Sequence, residues 1–84
     1  MDTLTLDKLN INESGCVARL LSRGAMRRRM IDLGIVEGTH IECVGRSPSG
    51  DPSAYLVRGA VIAIRKRDAR EVMLLSGEVL YGAY

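Results

Sequence analysis

Residues 24–39, GAMRRRMIDLGIVEGT, constrain the fold more than any other stretch, because they specify a short helix, its end and a turn into a strand. Met26, Met30 and Leu33 recur at i, i+4 and i+7, which places them on one face of a helix that begins near Ala25. We therefore expect this face to be buried against the rest of the protein.

Gly34 follows the last periodic residue and is predicted to end the helix in a left-handed conformation, where a Cβ atom would be unfavourable. Ile35 then takes the second position past the helix end and is expected to pack back on Met30. Gly38 and Gly59 are predicted to lie at turns that precede strands.

The remaining elements are short. Strands are predicted at residues 16–21, 39–45, 54–58, 60–66 and 72–75. Residues 3–9 are expected to form one helical turn or an extended lead-in, and residues 67–70 one helical turn. Residues 10–15 and 47–52 are rich in Asn, Ser, Gly, Asp and Pro and are predicted to be turns or loops.

A mostly β fold follows from these elements, with five strands and one short helix after the first strand. The 84 residues allow one small core, and with no Trp or Phe this core must be built from Ile, Leu, Val, Met and Ala. The chain is too short for a sandwich, whereas a small closed barrel hides the edges of short strands.

Several classes of protein are disfavoured by composition. No apolar run approaches the roughly 20 residues that span a bilayer, and no signal peptide is evident, so a cytoplasmic protein without membrane insertion is expected. The net charge of +2 is only mildly basic. The three tyrosines, Tyr55, Tyr81 and Tyr84, are too few for a base-stacking platform or a groove for proline-rich peptides. We expect no nucleic-acid partner.

Cys16 and Cys43 lie far apart and form no CxxC motif. They are interpreted as free thiols that behave as small buried hydrophobic residues, and the alternative of a redox pair has no local support.

Three arginines, Arg27, Arg28 and Arg29, occupy the start of the predicted helix, where the helix dipole disfavours cations. One interpretation is a solvated helix face on which Arg28 pairs weakly with Asp32 at i, i+4. The other is a contact surface for an acidic protein, anionic lipid headgroups or phosphates.

His40 and Glu42 are weak candidates for a metal site, because they lie two residues apart on one strand face. Imidazole and carboxylate ligands suit ferrous iron, and Glu37, Cys43 and Asp51 are candidate neighbours. A single histidine and no paired-ligand motif leave no preformed site, so at most weak binding of Fe²⁺ or Zn²⁺ is expected. With one histidine no catalytic Ser/His/Asp or Cys/His set can be assembled, so we predict no enzymatic activity.

The last two predicted strands are apolar on both faces. One set is expected to face the interior and the other to face outward, and the outward set is Val61, Ala63, Met73 and Leu75. The N-terminal segment or the C-terminal residues 77–84 would cover the outward set; alternatively, the set forms a partner or self-association surface. The tail itself carries Val79, Leu80, Tyr81 and Tyr84, which are expected to pack on that outer face.

The order RRRMIDLGIVEGTHIECV, SGDP and VRGAVIAIRKRDAREV resembles the ferrous iron transport protein A (FeoA) family. The positions that carry the resemblance are Arg28, Arg29, residues 30–34, Gly38, Thr39, residues 50–52, Gly59 and residues 62–65. The resemblance covers residues 14–75 of a domain taken as residues 1–84, and leaves residues 77–84 outside as a tail.

This resemblance implies an SH3-like barrel and a non-enzymatic accessory protein of bacterial ferrous iron uptake. The implied partner is the membrane permease FeoB, through its cytoplasmic GTP-binding domain, which would hold the protein at the periphery of the inner membrane. The residues expected to contact the partner are Arg27, Arg28, Arg29, Asp32, Val61, Ala63, Met73 and Leu75. The alternative is a divalent-metal sensor domain, like the C-terminal barrel of metal-dependent transcriptional repressors.

Overall fold

Strand β1 (Glu13–Leu20) organises the sheet, because its two halves pair with different neighbours. The computed structural model describes residues 4–75 and the backbone of residues 80–81. The first half of β1 pairs with β2 (His40–Arg46), and the second half pairs with β5 (Val72–Leu74). A register shift between Val17 and Arg19 separates the two halves. Such an irregularity bends a strand, which lets β1 belong to both sides of a small barrel.

An antiparallel meander supplies the other strands. β2 pairs with β3 (Ser53–Val57), and β3 pairs with β4 (Ala60–Ile64), so the sheet order is β4-β3-β2-β1-β5. The turn between β3 and β4 has positive φ at both central residues, 50° at Arg58 and 84° at Gly59. Two-residue hairpins of type I′ require this conformation at both positions. The predicted fold class, mostly β with one short helix after the first strand, is confirmed.

The core is continuous and largely aliphatic, and it contains one aromatic side chain. Tyr55, at 1% exposure, is the largest fully buried side chain, which corrects the expectation of a core built from Ile, Leu, Val, Met and Ala. Its position on β3 directly opposite Cys43 of β2 places it among the inward residues of two central strands. The other buried hydrophobic residues are Leu6, Leu9, Val17, Met30, Ile35, Ile41, Cys43, Val57, Ile64, Ala69, Val72 and Leu74.

Helix α1 (Gly24–Asp32) ends as the sequence predicts. Gly34 has a φ of 92°, its N–H donates to the carbonyl of Ile31 at 2.9 Å, and the N–H of Ile35 donates to the carbonyl of Met30 at 2.9 Å. These two hydrogen bonds define a Schellman stop, and both Ile35 and Met30 are buried in the core.

Some boundaries differ from the predictions. Residues 13–15, predicted to be part of a turn, are the start of β1, because Asn12 makes the turn with a φ of 78° and its N–H donates to the carbonyl of Cys43 at 2.7 Å. A 3₁₀ helix at Leu6–Lys8 confirms the one-turn alternative for the N-terminal segment. Helix α2 (Lys66–Ala69) begins one residue before its predicted position.

The C-terminal segment is described only in part. The backbone of β6 (Leu80–Tyr81) pairs with Glu13 and Ser14 at the start of β1. The packing predicted for the side chains of residues 79, 80, 81 and 84 lies outside the described residues. None of the helices within residues 4–75 combines the length and the hydropathy needed to cross a bilayer.

Candidate docking surface around helix α1

Helix α1 has a buried face and a cationic face. Met30 is 2% exposed, and Met26 and Leu33 are half-buried against the core, which confirms the predicted inner face. Arg27, Arg28 and Arg29 are all exposed. The arginines therefore lie on the part of the helix that the barrel leaves accessible.

Arg27 has a structural contact that the sequence did not indicate. Its Nη1 donates to the carbonyl of Leu20, the last residue of β1, at 3.2 Å. This hydrogen bond ties the first turn of α1 to the end of β1. Its partner is a main-chain carbonyl, and no residue pattern could have identified it.

Asp32 does not neutralise the arginine cluster. Within residues 4–75, Arg28 and Asp32 line one surface depression but form no ion pair, whereas Arg67 Nε and Asp68 Oδ1 lie 4.0 Å apart. The interpretation that paired Arg28 with Asp32 is therefore wrong for this structure. The prediction that all three arginines occupy the start of the helix is also wrong, because α1 begins at Gly24 and Arg29 lies in its last turn, where the helix dipole favours a cation.

Arg29 lies on the other side of the helix from this depression. It lines a groove of 350 Å³ together with Ala63 of β4 and Arg65. The structure therefore brings two of the residues predicted to contact a partner, Arg29 and Ala63, to one groove.

The predicted alternation of the last two core strands is confirmed. Ile64, Val72 and Leu74 are buried and Ile62 is half-buried, while Val61 is 66% exposed. The outward residues nevertheless do not form one surface across paired strands, because β4 and β5 lie at opposite ends of the sheet order.

The N-terminal segment covers part of Met73 on β5. This agrees with the predicted alternative in which the N-terminal segment covers outward apolar residues. Met73 is half-buried and pairs with Thr5, and the N–H of Leu74 donates to the carbonyl of Leu4 at 2.9 Å. Leu75, which follows β5, remains 47% exposed.

The predicted turn glycines all have positive φ, and two of them, Gly38 and Gly59, line one surface depression. Gly34, Gly38 and Gly59 have φ values of 92°, 88° and 84°. The hydroxyl of Thr39, a buried residue, donates to the carbonyl of Gly34 at 2.9 Å and accepts the N–H of Val36 at 3.2 Å. These bonds hold the loop between α1 and β2 in place.

His40 and Glu42 lie on the outer side of β2, as predicted. The side chains proposed as neighbouring metal ligands, those of Glu37, Cys43 and Asp51, do not lie beside them. Cys43 is fully buried in the core, and Asp51 Oδ1 accepts the backbone N–H of Lys66 at 2.8 Å in another loop. Glu37 lines a different groove, next to α1. In the part of the chain that the structure describes, no three His, Cys, Asp or Glu side chains are arranged to hold a metal ion.

Both cysteines are free thiols, as expected. Cys43 is buried, and Cys16 is half-buried. Burial of both side chains agrees with their interpretation as small hydrophobic residues.

The FeoA domain family profile matches residues 4–75. The chain belongs to the FeoA family. A FeoA-like protein from Clostridium acetobutylicum shares 32% sequence identity, and its NMR structure superposes with a TM-score of 0.81 over 100% of this chain and 95% of that chain. The crystal structure of Stenotrophomonas maltophilia FeoA complexed with zinc, an SH3 domain protein, shares 26% identity and gives a TM-score of 0.85 over 95% of this chain and 99% of that chain. The barrel of this FeoA domain is therefore SH3-like.

A relative of this FeoA domain occurs inside a much larger chain. The Fe(2+) transport protein A/Fe(2+) transporter FeoB fusion protein of Porphyromonas gingivalis is 28% identical over 69 residues. The match covers 82% of this chain and spans only 8% of the length of the fusion protein. The family is thus associated with ferrous iron transport.

A manganese-dependent transcriptional repressor shares the fold of this FeoA domain. Its TM-score is 0.77 at 17% identity, over 88% of this chain and 41% of the repressor. At this identity the likeness extends to the fold alone.

Proposed function

We propose that this FeoA domain is a non-enzymatic accessory subunit of a ferrous iron uptake system and acts by contact with the FeoB permease. The observation that carries the proposal is the relative in which an FeoA region and FeoB share one polypeptide. Covalent fusion keeps two partners at high effective concentration, and separate chains need a contact surface to achieve the same. A transport-activating role has been suggested for the S. maltophilia protein, which has the same fold.

The contact is assigned to the cationic face of α1 and to the cytoplasmic GTP-binding domain of the permease. Three exposed arginines follow one another in the middle of α1, where the helix dipole neither requires nor offsets their charge. An acidic surface on the permease would complement this cluster of positive charge. The protein would then lie at the inner face of the membrane through its partner.

The metal-sensor alternative is favoured by the repressor-like fold and by the zinc complex of the S. maltophilia relative, but among the described residues of this chain no three His, Cys, Asp or Glu side chains are grouped to hold a metal ion. We therefore retain the docking function as the single proposal. Ferrous iron is treated as the cargo of the transport system and not as a resident cofactor of this domain.

The experiment measures binding of the full chain to the isolated cytoplasmic domain of the FeoB permease by calorimetry. The double variant Arg28→Glu with Arg29→Glu is expected to keep the fold, because both side chains are exposed, and to weaken binding about tenfold or more. The matched control, Lys8→Glu with Arg70→Glu, reverses the same amount of exposed charge away from α1.

Salt dependence provides a second readout. The wild-type interaction should weaken from low to high ionic strength, because salt screens exposed charges. If the double reversal on α1 binds like wild type at low ionic strength, the arginines are not the contact, and the outward apolar residues Val61 and Leu75 become the leading candidates.

A further inference from the structure

A groove of 580 Å³ lies between the end of β1 and the start of α1. Two of the large exposed hydrophobic residues line it, Leu21 at 37% exposure and Ile31 at 43%. Arg23 and Arg27 also line it, next to this apolar surface. The groove is therefore both apolar and cationic.

The start of α1 adjoins this groove through Arg23, the residue before the helix, and has no side-chain cap. The helix has nine residues, no side chain accepts a hydrogen bond from its first N–H groups, and its first turn contains no acidic residue. Among the described residues, no backbone or side-chain acceptor is bonded to the N–H groups of Gly24, Ala25 and Met26. A helix start of this kind favours an anion, because free N–H groups and the helix dipole act together.

Ser22 provides an independent observation at the same place. The residue is 7% exposed and lines the groove, and its Oγ is buried without a hydrogen-bond partner in the part of the chain that the structure describes. A buried hydroxyl without a partner destabilises the folded state. Its hydrogen-bonding capacity is therefore unused within the described residues.

We propose that this groove binds an acidic segment of a protein partner, with a glutamate or aspartate carboxylate at the start of α1 and a branched apolar side chain against Leu21 and Ile31. Arg23 and Arg27 would receive the carboxylate, and Ser22 would donate to it. Charge-assisted hydrogen bonds from arginine to carboxylate are among the stronger polar contacts of proteins. The inference rests on the proposed docking function, because it names the kind of segment that the α1 surface receives.

The apolar walls of the groove favour an acidic protein segment over a small inorganic anion, and Glu37 limits where its carboxylate can lie. The apolar walls of Leu21 and Ile31 would gain nothing from free phosphate, whereas they would bury against an aliphatic side chain. Glu37 also lines the groove, and its carboxylate would repel a second acid beside it. The segment is therefore expected to place its carboxylate at the arginine side.

The first test uses the full chain and a capped peptide of sequence Glu-Leu-Glu-Val, with Gln-Leu-Gln-Val as its neutral control. Heteronuclear NMR follows the backbone amides during each titration. We expect the amides of Ala25, Met26 and Arg27 to shift with the acidic peptide. The neutral peptide should bind at least about fivefold more weakly, because it lacks charge-assisted hydrogen bonds.

Variants then separate the site from the rest of the surface. Ser22→Ala should raise the midpoint of thermal unfolding, because it removes a buried unpaired hydroxyl, and should weaken peptide binding. Arg23→Gln should also weaken peptide binding, and it spares the hydrogen bond of Arg27 to Leu20. Arg70→Gln, an exposed position outside the groove, is the control and should bind the peptide like wild type.

Three results would overturn the inference: equal affinity for the acidic and neutral peptides, shifts confined to amides elsewhere, or inorganic phosphate binding at the same amides as tightly as the peptide. Failure of the docking function is distinguishable from these. If the acidic peptide binds as expected while the FeoB cytoplasmic domain does not bind at all, the groove stands and the FeoB partnership falls. If the FeoB domain binds wild type and Arg23→Gln equally and the peptide does not bind, the proposed binding site in the groove is wrong and the FeoB partnership stands.

Discussion

The side chain of Arg58 lies directly across Gly34, which ends helix α1. Arg58 Nε donates to the carbonyl of Gly34 at 3.3 Å, and a Cβ atom at position 34 would come within 2.8 Å of Arg58 Cδ. The hairpin between β3 and β4 thus packs on the end of α1 through these two residues. Glycine at position 34 satisfies two demands, a left-handed conformation and a close contact with Arg58.

Gly34→Ala is therefore expected to lower the free energy of unfolding by about 1–2 kcal/mol, from backbone strain and from displacement of Arg58. The measurement is chemical unfolding followed by circular dichroism. Gly38→Ala is the matched control, since Gly38 has a φ of 88° but open space where its Cβ would be. A smaller loss in the control would isolate the contact with Arg58.

A double-mutant cycle checks the same contact. In an Arg58→Ala background, Gly34→Ala should cost less than in the wild type, because the clashing side chain is gone. Equal losses in both backgrounds would show that the backbone conformation alone makes alanine unfavourable at this position.

Substitutions of Arg27 and Arg28 are predicted to differ in their effect on the stability of the protein, although both side chains are exposed on α1. Arg27→Ala should lower the free energy of unfolding by roughly 0.5–1 kcal/mol, because it removes the hydrogen bond to Leu20. Arg28→Ala should be nearly neutral, since Arg28 is exposed and forms no ion pair among the described residues. Thermal unfolding of both variants measures the difference, and a greater loss for Arg28 would contradict this assignment.

Tyr55 should make the fold sensitive to alkaline pH. Burial raises the pKa of the Tyr55 phenol above its usual value of 10.0. Because the folded state then holds the proton more tightly than the unfolded state, this contribution to stability is present in full below about pH 10. It is lost as the pH rises through the raised pKa.

The free energy of unfolding should accordingly fall as the pH rises above about 10, and the fall should be shallower in Tyr55→Phe. At neutral pH the same variant should lose about 1 kcal/mol at most, because phenylalanine keeps the buried aromatic ring and removes only the hydroxyl. Urea unfolding at a series of pH values tests both statements. Identical pH slopes for wild type and variant would refute the role of Tyr55.

No tight ferrous iron or zinc site is predicted for the monomer. His40 and Glu42 lie together on the outer side of β2 without a third ligand among the described residues. Calorimetric titration with zinc at neutral pH should show at most weak binding, and His40→Ala should keep the fold and the partner contact. Tight stoichiometric binding that His40→Ala abolishes would prove this prediction wrong.

Local sequence signals determined the elements whose contacts are close in the chain. The spacing of Met26, Met30 and Leu33 predicted the buried face of α1, and Gly34 predicted its end, because helix geometry and capping act over at most five residues. Alternation likewise predicted which side of β2 faces the core. The ordered motifs also carried the resemblance to the FeoA family.

Only the tertiary structure decided the features that join residues distant in sequence. The pairing of β1 with two neighbours, the burial of Tyr55 and the contact of Arg58 with Gly34 each depend on how elements distant in sequence pack together, which no single local pattern specifies. The groove at the start of α1 arises for the same reason, since it forms where the end of β1 meets the helix. The sequence by itself therefore determined the elements and the family, and the packing of those elements decided where charge, apolar surface and an unpaired hydroxyl come together.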